Sequence, residues 1–344
     1  MDAFYAAVEL LRRPDLKGKP VVIGGHGEPG VERKGPYSGR GVVTTATYEA
    51  RAFGIHSAMP LHKAYRLCPQ AVFMPTDFAE YRRVSALFKQ CMRRVSHFME
   101  DRGIDEAYLD VTDVAGESED LGRELKERVF AATGLTCSIG IAPNKLLAKM
   151  ASELQKPDGL TILGEADVPS RIWPLEVRKL PGVGPVTGRR LAELGVQTIG
   201  ELAARPLAEL VRLFGASHGE GLHHAAHGRD EREVVSEREP KSRSRETTFS
   251  ADTSDWQAIA RTIAALSREV AQDLHEERVR GRTIGLKLRF ANFDTITRDR
   301  TLAQATDSSE TIRRTAFECL SRVKLAQSVR LVGVRVGNLQ KIAP

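Results

Sequence analysis

The sequence predicts a multi-domain protein of the α+β class, and three observations lead to that prediction. Its 344 residues allow two or three domains at about 150 residues each. Residues up to about 165 alternate short strand-like apolar stretches with longer stretches of helical periodicity. Residues 241–344 follow a strand–helix–strand–strand–helix–strand order, which folds as one sheet with both helices on the same face. Lys241, Arg243 and Arg245 alternate along its first strand, and we expect the basic residues on the sheet face that the helices leave open.

The composition narrows the class of protein. Hydrophobic residues make up 41% of the chain and charged residues 28%, which is typical of a globular protein and not of a disordered one. No apolar run reaches the roughly 18 residues of a membrane span, and no apolar signal segment opens the chain. The four cysteines are far apart and form no CxxC pair, so we expect neither a structural zinc site nor a disulfide scaffold. These features favour a reducing cytoplasm.

The net charge of +6 is confined to one part of the chain. Residues 241–344 carry a net charge of +7, whereas residues 1–240 carry −1. A basic excess limited to one domain suggests a polyanionic partner such as nucleic acid. The alternative, a solvated basic face without a partner, is compatible with an excess of this size.

The first half of the chain predicts short strands and amphipathic helices. In order these are a strand at 21–23 ending at Gly24-Gly25, a loop at 24–41, a strand at 42–45, a helix through Tyr48 and Arg51, a helix at 78–98, a strand around Leu109 and Val111, a strand at 137–141 and a helix at 144–154.

The second half predicts a helical unit, a linker and an α+β module. In order these are a glycine-rich hairpin at 180–184 between short helices, a charged linker within 229–247, a strand at 241–249, a helix starting after Thr253 or Ser254, a strand at 284–290, its hairpin partner at 295–302, a helix at 308–324 and a closing strand at 329–336.

Asp105 and Glu106 are candidate metal ligands. Adjacent side chains on a flat strand point to opposite faces, so the two carboxylates can share a site only at a strand end, a bulge or a hairpin. Gly103 permits such a bend. Carboxylate clusters hold Mg²⁺, and paired Mg²⁺ ions drive phosphoryl displacement. Taken alone, however, the pair is more often two surface acids at a turn.

Thr45, Tyr48 and Arg51 form a candidate phosphate cradle where a strand leads into a helix. Tyr48 and Arg51 share one helix face at a spacing of three residues. Backbone amides at a helix start and a guanidinium group suit a phosphate. An ordinary capped helix with a surface arginine would show the same residues.

The hairpin at 180–184 (LPGVG) is the more specific signal. Gly182 and Gly184 would let the backbone approach a phosphate closely. This resembles a helix-hairpin-helix motif, which binds the duplex backbone without reading its sequence. A tight helix–helix turn is the alternative.

Three histidines at 223, 224 and 227, with Asp230 nearby, could suggest a metal site. No cysteine or glutamate completes the set close by, and the stretch borders the predicted linker. We therefore favour a solvated helix end.

Together these motifs resemble a Y-family DNA polymerase of the bacterial polymerase IV (DinB) type. The resemblance covers nearly the whole chain, and the shared order of the motifs makes it specific. The matching stretches are 1–9 (MDAFYAAVE), 44–54 (TTATYEARAFG), 57–60 (SAMP), 104–112 (IDEAYLDVT), 138–142 (SIGIA) with Asn144-Lys145, 156–159 (KPDG), 180–184 (LPGVG) and 330–334 (RLVGV).

The resemblance implies a right-hand architecture acting as a monomer on primer-template DNA with deoxynucleoside triphosphates. The palm would comprise 1–10 and 67–165, the fingers 11–66, the thumb 166–230 with the helix-hairpin-helix near 180–200, the linker 231–240 and the DNA-binding little finger 241–344. The implied reaction adds a deoxynucleotide to a primer 3′-OH with release of pyrophosphate, at low fidelity, in translesion synthesis.

The resemblance also implies roles for individual residues. Asp105 and Glu106 match the catalytic carboxylates that hold two Mg²⁺ ions. Thr45, Tyr48, Arg51 and Lys156 match the triphosphate-binding positions. Tyr5 matches the steric gate that rejects a ribose 2′-OH, and Phe4 lies beside it in the nucleotide pocket. The residues expected to bind DNA are Gly182, Gly184, Lys241, Arg243, Arg245, Lys287 and Arg289.

The sequence departs from the family pattern at three places. The position of the family's first metal-binding acid falls immediately before Met1, and Asp2 matches the family's second acid. We therefore expect residues 1–344 to bind Mg²⁺ poorly. We expect a preceding segment that supplies the first acid to restore activity. Gly103 replaces a usual serine. The loop at 24–41 is longer than expected.

Two other functions stay open at this stage. The absent first acid favours a non-catalytic, Y-family-like accessory protein that binds DNA in damage tolerance. A general duplex-binding protein would leave the 44–51 and 104–106 segments unexplained. A sliding clamp is a conceivable partner, although no clamp-binding peptide is visible. The joint presence of Asp105, Glu106, Tyr48, Arg51 and Tyr5 favours the polymerase.

Overall fold

The computed structural model describes the chain except residues 34, 36, 38, 238, 326, 343 and 344. Parts of the predicted loop 24–41, linker 231–240 and module 241–344 therefore lie outside the described residues. The chain forms two compact units, residues 1–37 with 41–237 and residues 38–40 with 238–344. Among the helices described here, none is long and apolar enough to cross a membrane. The finer division of the first unit into palm, fingers and thumb stays a prediction.

The first unit alternates short strands with helices. In chain order it contains α1 (Phe4–Arg12), β1 (Val21–Gly24), β2 (Val43–Ala46), α2 (Tyr48–Arg51), α3 (Leu61–Leu67), β3 (Val72–Met74), α4 (Phe78–Arg93), β4 (Met99–Asp101), β5 (Ala107–Leu109), α5 (Ser118–Thr133), β6 (Ile139–Ile141), α6 (Lys145–Leu154), β7 (Leu160–Ile162), α7 (Pro185–Glu193), α8 (Ile199–Ala203), α9 (Leu207–Phe214) and α10 (Ala216–Ala226).

Three small sheets position the functional segments of this unit. In the first, β1 pairs antiparallel with β2 and parallel with β3. In the second, β4 and β5 form an antiparallel hairpin. In the third, β6 and β7 run parallel. The strands at β1, β2, β5 and β6 confirm the predicted order, because local apolar patterning is strong in each of them.

Helix α4 is shorter than the predicted 78–98. It ends at Arg93, and the amides of Val95 and Ser96 both donate to the Met92 carbonyl oxygen in a turn. The Ser96 hydroxyl then accepts a hydrogen bond from the Phe98 amide. Serine competes for backbone hydrogen bonds in this way, which ends helices that apolar periodicity alone would continue.

The two predicted short helices are present, but both follow the glycine-rich hairpin at 180–184, and only a 3-10 turn at Val177–Lys179 precedes it. Pro185 occupies the first turn of α7, where its missing N–H has no cost. Thr198 caps α8, and Glu201 reaches back to the Thr198 amide at 2.9 Å, completing a capping box. Leu191 of α7 and Ile199 of α8 are fully buried in the same apolar cluster, which holds the two helices together.

The second unit has the predicted β-α-β-β-α-β order. Its elements are β8 (Ser242–Thr253), α11 (Trp256–Glu276), β9 (Val279–Phe290), β10 (Thr295–Thr306), α12 (Ser309–Ser321) and β11 (Val329–Lys341). The sheet order is β10-β9-β11-β8, and every neighbouring pair is antiparallel. The helix predicted to start after Thr253 or Ser254 is α11, and its apolar stripe is buried at Ile259, Ile263, Leu266, Val270 and Leu274.

The strand register corrects one expectation about β8. Val334 and Val336 are buried beneath the helices, and their partners across the sheet are Arg245 and Arg243. Paired residues in an antiparallel sheet lie on the same face. The two arginines therefore lie on the helix-bearing side, not on the open face expected from the sequence. Each pairs at 2.6 Å with an acid, Arg243 with Glu277 directly after α11 and Arg245 with Asp273 of α11.

The start of the predicted linker packs against the first unit instead of being solvated throughout. Lys145 and Glu100 form a buried ion pair at 2.7 Å. Lys145 also donates to the Glu233 carbonyl oxygen at 2.5 Å, and Glu100 accepts from the Val235 amide at 3.1 Å. The charged composition of residues 231–240 predicted a solvent-exposed linker. Composition alone cannot reveal that such a segment packs against a buried ion pair.

Candidate active site

Asp105 and Glu106 lie at the tip of the β4–β5 hairpin, directly before β5. The Arg102 amide donates to the Glu106 carbonyl oxygen at 3.1 Å and closes the hairpin. The Gly103 amide donates to an Asp101 carboxylate oxygen at 3.2 Å. The adjacent acids therefore occupy a hairpin, one of the three settings that would let both carboxylates serve one site.

The two carboxylates differ in their partners. Glu106 accepts a hydrogen bond from Lys149 of α6 at 2.9 Å. Partial burial alone would raise the pKa of Glu106, but the hydrogen bond and charge of Lys149, with the charges of Lys156 and the amino terminus, bring this pKa below its usual value. The Asp105 side chain has no hydrogen-bond or ion-pair partner among the described residues.

Both carboxylates line a cavity of about 200 Å³ in the first unit. Lys149 and Lys156 line it too, and its remaining wall is largely apolar and comes from α4, α5, β5 and β6. Met1 lies at this cavity, and its amino group donates to the Asp105 carbonyl oxygen at 2.8 Å. The site thus combines charged groups with a partly enclosed apolar wall, a setting that strengthens electrostatic interactions.

The donor chemistry of this site fits a hard divalent cation. Carboxylate oxygens are the ligands that Mg²⁺ prefers, and Asp105 and Glu106 supply them side by side. Asp2 does not add a third free carboxylate. Its two oxygens accept from the Ser138 hydroxyl at 2.7 Å and the Asp158 amide at 2.8 Å, and the residue is buried. The part of the chain that is described contains no cluster of three or more metal-ligating side chains.

The candidate phosphate cradle is assembled at the junction of β2 and α2. Arg51 lies over the Tyr48 ring, with the guanidinium carbon 4.8 Å from the ring centroid. The Arg51 side chain donates to the Ala46 carbonyl oxygen at 3.0 Å and to the Thr45 hydroxyl at 3.4 Å. Thr45, Tyr48 and Arg51 are therefore gathered in one place, with the guanidinium already oriented.

Charged groups near the end of α6 act on two residues of the predicted triphosphate site, Lys156 and Tyr48. Burial raises the pKa of the Tyr48 hydroxyl, and the negative charges of Asp2 and Glu153 raise it further. Lys156 donates to Glu153 at 2.6 Å. This exposed pair is weak, so a phosphate could compete for Lys156 at low cost.

Tyr5 and Phe4 occupy different environments at the start of α1. Tyr5 is partly exposed, and burial together with the charge of Asp105 raises the pKa of its hydroxyl, which relates Tyr5 electrostatically to the carboxylate site. Phe4 is 2% exposed, and its ring packs edge-on against Phe88 at 6.3 Å. The Phe4 side chain therefore points in a different direction from that of Tyr5, because consecutive helix residues point about 100° apart. The place of Phe4 in the nucleotide pocket stays a prediction.

The glycines of the 180–184 hairpin leave its backbone open. A side-chain carbon added at Gly182 or Gly184 would meet no atom within 4 Å. Gly182 has a φ of +98°, a conformation that other residues rarely adopt. The backbone is thus accessible to a ligand at this point.

Two of the predicted basic residues lie on the open face of the second unit's sheet. Lys287 pairs with Glu246 at 2.8 Å, and Arg289 donates to the Thr295 hydroxyl at 2.9 Å. Lys241 is exposed just before β8. Sequence reasoning missed Arg335, which lies beside Gly285 on this open face and pairs with Asp299 at 3.4 Å.

Lys149 was also missed by sequence reasoning. Only its place four residues after Lys145 on α6 could have drawn attention to it, and nothing in that spacing indicates Glu106 as a partner.

The histidine group does not combine with Asp230. The Asp230 carboxylate accepts from Arg232 at 2.7 Å and from the Leu146 amide at 3.1 Å. The His223 and His227 rings lie 4.5 Å apart, and burial lowers the pKa of His223. Asp230 is thus committed to a structural role.

Family models match most of the chain. Residues 1–153 match the impB/mucB/samB family, and residues 240–344 match the C-terminal domain of that family. Residues 178–230 match the thumb domain of DNA polymerase iota.

Curated relatives are similar over almost the full chain. DNA polymerase IV of Methanoculleus marisnigri is 43% identical over 99% of this chain and 93% of the relative. DNA polymerase IV of Streptomyces coelicolor is 41% identical over 98% of this chain and 70% of the relative. DNA polymerase IV of Alkalilimnicola ehrlichii is 41% identical over 100% of this chain and 95% of the relative.

Solved structures show the same fold. A Y-family DNA polymerase chimera of Dbh and Dpo4 has a TM-score of 0.84 at 27% identity, covering 99% of this chain and 98% of that one. DinB from Sulfolobus solfataricus has a TM-score of 0.65 at 27% identity, with the same coverage.

Proposed function

Because this chain belongs to the Y-family DNA polymerases of the DNA polymerase IV type, we propose that it extends primers by two-metal phosphoryl transfer in the tolerance of damaged DNA. As a member of that family it is a DNA-directed DNA polymerase of the translesion type with a right-hand fold. The observation that carries the proposal is the hairpin that presents Asp105 and Glu106 at one cavity, with the Asp105 carboxylate unpaired among the described residues.

Asp105 and Glu106 would hold the Mg²⁺ ions. Such a pair of ions stabilises charge on the attacking and leaving oxygens of an in-line displacement. In the reaction the primer 3′-oxygen loses its proton and forms a bond to the α-phosphorus of the incoming nucleotide. The bond from that phosphorus to the β-phosphate oxygen breaks, and pyrophosphate leaves.

The cradle would bind the triphosphate. Arg51 is oriented by the Ala46 carbonyl oxygen and the Tyr48 ring, which reduces the entropy lost when it meets a phosphate. Lys156 can exchange Glu153 for a phosphate oxygen. Tyr5 would place its ring against the 2′ position of the sugar and reject a ribonucleotide by steric repulsion.

The protein would hold DNA through the sugar-phosphate backbone of the DNA. The open hairpin at Gly182 and Gly184 suits phosphate contacts that do not read sequence. The exposed Lys241 and the half-buried Lys287 and Arg289 add positively charged side chains for the same purpose. The register places Arg243 and Arg245 in ion pairs beside α11, so we propose a weaker contribution from them to DNA binding. Backbone contacts of this kind allow a polymerase to move along any template.

Primer extension with Mg²⁺ tests the function directly. The chain should add deoxynucleotides opposite an undamaged template base and opposite a template lesion, with more misincorporation than a replicative polymerase. Binding of the same primer-template, measured by fluorescence anisotropy, should lose strength steeply with added salt.

A non-catalytic accessory protein would behave differently in the same two assays. It would bind the primer-template with the same salt dependence. It would not extend the primer with any divalent cation, Mn²⁺ included. Family membership and the conjunction of the carboxylate pair with the phosphate cradle disfavour this alternative.

A further inference from the structure

The Tyr5 ring has a fixed support from α4. Its centroid lies 4.4 Å from that of Tyr81, with the two planes 29° apart, so the rings are stacked. Phe78, one turn earlier on α4, meets Tyr5 edge-on at 5.8 Å. Tyr81 is fully buried, whereas Tyr5 is partly exposed. Tyr81 therefore backs the buried side of the Tyr5 ring.

A buried carboxyl group holds the Tyr81 ring in place. The Tyr81 hydroxyl donates to Glu9 Oε1 at 2.7 Å, and both residues are fully buried. Burial raises the pKa of both groups, which keeps the tyrosine protonated as a donor. Such a bond is costly to leave unmade inside a protein, so it resists rotation of Tyr81.

The same two helices are joined once more near this contact. Arg12 of α1 pairs at 2.7 Å with Asp77, which caps α4 through the Glu80 amide. Tyr5 and Glu9 lie one turn apart on α1, as Phe78 and Tyr81 lie one turn apart on α4. Tyr5, Glu9 and Arg12, which make these contacts, therefore lie along one face of α1.

We propose that Tyr81 and Glu9 are positioning residues for sugar selection, because they set how far the Tyr5 ring can retreat from the nucleotide. The inference rests on the proposed role of Tyr5 as a steric gate. A ring excludes a 2′-hydroxyl only while it cannot move away, and steric repulsion falls steeply over a fraction of an ångström. The stacked and hydrogen-bonded Tyr81 closes the path of retreat.

The test measures nucleotide binding instead of turnover. The chain is bound to a primer-template whose primer ends in a dideoxynucleotide, and the dissociation constants of the matching deoxynucleotide and ribonucleotide are measured by fluorescence. The ratio of the two dissociation constants measures discrimination against the ribose 2′-hydroxyl, which is the effect assigned to Tyr5. Wild type should show a strong preference for the deoxynucleotide.

Two substitutions at Tyr81 should lower this ratio by graded amounts, and a third, at Glu9, should leave it unchanged. Tyr81→Leu removes the stacked ring and should reduce discrimination about threefold to tenfold. Tyr81→Phe keeps the ring but removes its hydrogen bond, so a loss of about twofold to threefold is expected. Glu9→Gln keeps an acceptor for the Tyr81 hydroxyl and should leave the ratio unchanged. Deoxynucleotide affinity should change little in all three.

A matched control separates positioning from general loosening of the fold. Tyr65→Leu removes a ring of the same size from another aromatic cluster of the first unit, where Tyr65 meets Tyr37 at 5.6 Å and Phe73 at 6.0 Å. It should lower the unfolding temperature without altering sugar discrimination. Should Tyr81→Leu fail to fold, Tyr81→Phe carries the test.

The outcomes distinguish this inference from the proposed function. Tyr5→Ala should abolish discrimination, and adding Tyr81→Phe to it should change nothing further. If Tyr5→Ala keeps normal discrimination, the gate itself is wrong. If Tyr5→Ala loses discrimination while both Tyr81 variants keep it, the gate stands and the positioning role of Tyr81 is overturned. An additive effect in the double variant would also overturn it.

Discussion

The carboxylate hairpin of the first unit and the open sheet face of the second unit carry their charges in opposite ways. Asp105 has no ion-pair partner among the described residues, although Glu106 is its neighbour in sequence. On the sheet, by contrast, Lys287 pairs with Glu246 and Arg335 pairs with Asp299. Among the described residues, the first region thus holds the unpaired carboxylate of Asp105 beside the paired Glu106, whereas Lys287 and Arg335 in the second each have an acidic partner.

This difference shows what each region is suited to bind. An uncompensated carboxylate repels its neighbour and is stabilised when a cation arrives. Exposed ion pairs, in contrast, are weak enough for phosphates to displace the carboxylates. The net charge of +7 in residues 241–344 therefore overstates the free positive charge on the open face, since part of it is paired there or lies on the helix side.

The largest expected effect comes from removing the uncompensated charge. Asp105→Asn keeps the shape of the side chain but should lower Mg²⁺-dependent primer extension about 10³-fold, because a cation ligand is lost. Primer-template affinity, measured by anisotropy, should stay within about twofold. Asp113→Asn, a change at an exposed carboxylate in the turn after β5, is the matched control. Equal extension by wild type and Asp105→Asn would refute the metal assignment.

The second effect comes from adding a carboxylate to the same region. The Met1 amino group lies 2.8 Å from the Asp105 carbonyl oxygen, so a residue joined before Met1 would lie next to the carboxylate pair. An apolar strand-forming segment ending in Asp, attached before Met1, should raise primer extension by about 10²-fold over residues 1–344. The same segment ending in Asn serves as the control. An equal increase in extension from the segment ending in Asn would contradict a role for the added carboxylate.

The third effect contrasts the two faces of the sheet. Lys287→Ala and Arg289→Ala should each weaken primer-template binding about threefold to tenfold and reduce the salt slope by about one. Arg243→Ala and Arg245→Ala should change affinity by less than about twofold, because these arginines lie beside α11. Anisotropy titrations at several salt concentrations measure both quantities. Equal losses from all four variants would show that the helix side also contacts DNA.

The smallest effect concerns the one ion pair at the carboxylate site. Lys149→Met should lower the free energy of unfolding at neutral pH by no more than about 0.5 kcal/mol, because both partners are substantially exposed. The pair keeps the folded-state pKa of Glu106 below its usual value, so its contribution exists above the ordinary glutamate pKa and is lost as the pH falls through the folded value. Urea unfolding of wild type and Lys149→Met should therefore converge in acid. A difference that grows as the pH falls would contradict the assigned sign.

Much of the fold could be predicted from the sequence because its signals are local. The β-α-β-β-α-β order of the second unit follows from periods of two and 3.6 residues within single elements. The helix after Asn144 follows from a capping residue and an apolar stripe. The motifs at 44–54 and 104–112 likewise carried the family resemblance, which the relatives confirm.

Part of the site could be predicted for the same reason. Tyr48 and Arg51 share a face within one helical turn, and Asp105 and Glu106 had to lie at a bend to act together. Both expectations depend on residues within a few positions of one another. Their roles in binding metal and nucleotide stay proposals that the experiments above address.

Tertiary structure alone decided which partners distant residues acquire. In an antiparallel sheet a shift of one residue moves every side chain to the other face, so alternation placed Arg243 and Arg245 together but could not say beneath which face they lie. Lys149 forms an ion pair with Glu106, and Tyr81 stacks on Tyr5 and donates a hydrogen bond to Glu9, although these residues are far apart in sequence. The sequence by itself determined the elements and the chemistry they carry, because those depend on neighbouring residues. Only the packed structure decided which charges are paired and which remain free for a ligand, because that depends on register and on contacts between elements far apart along the chain.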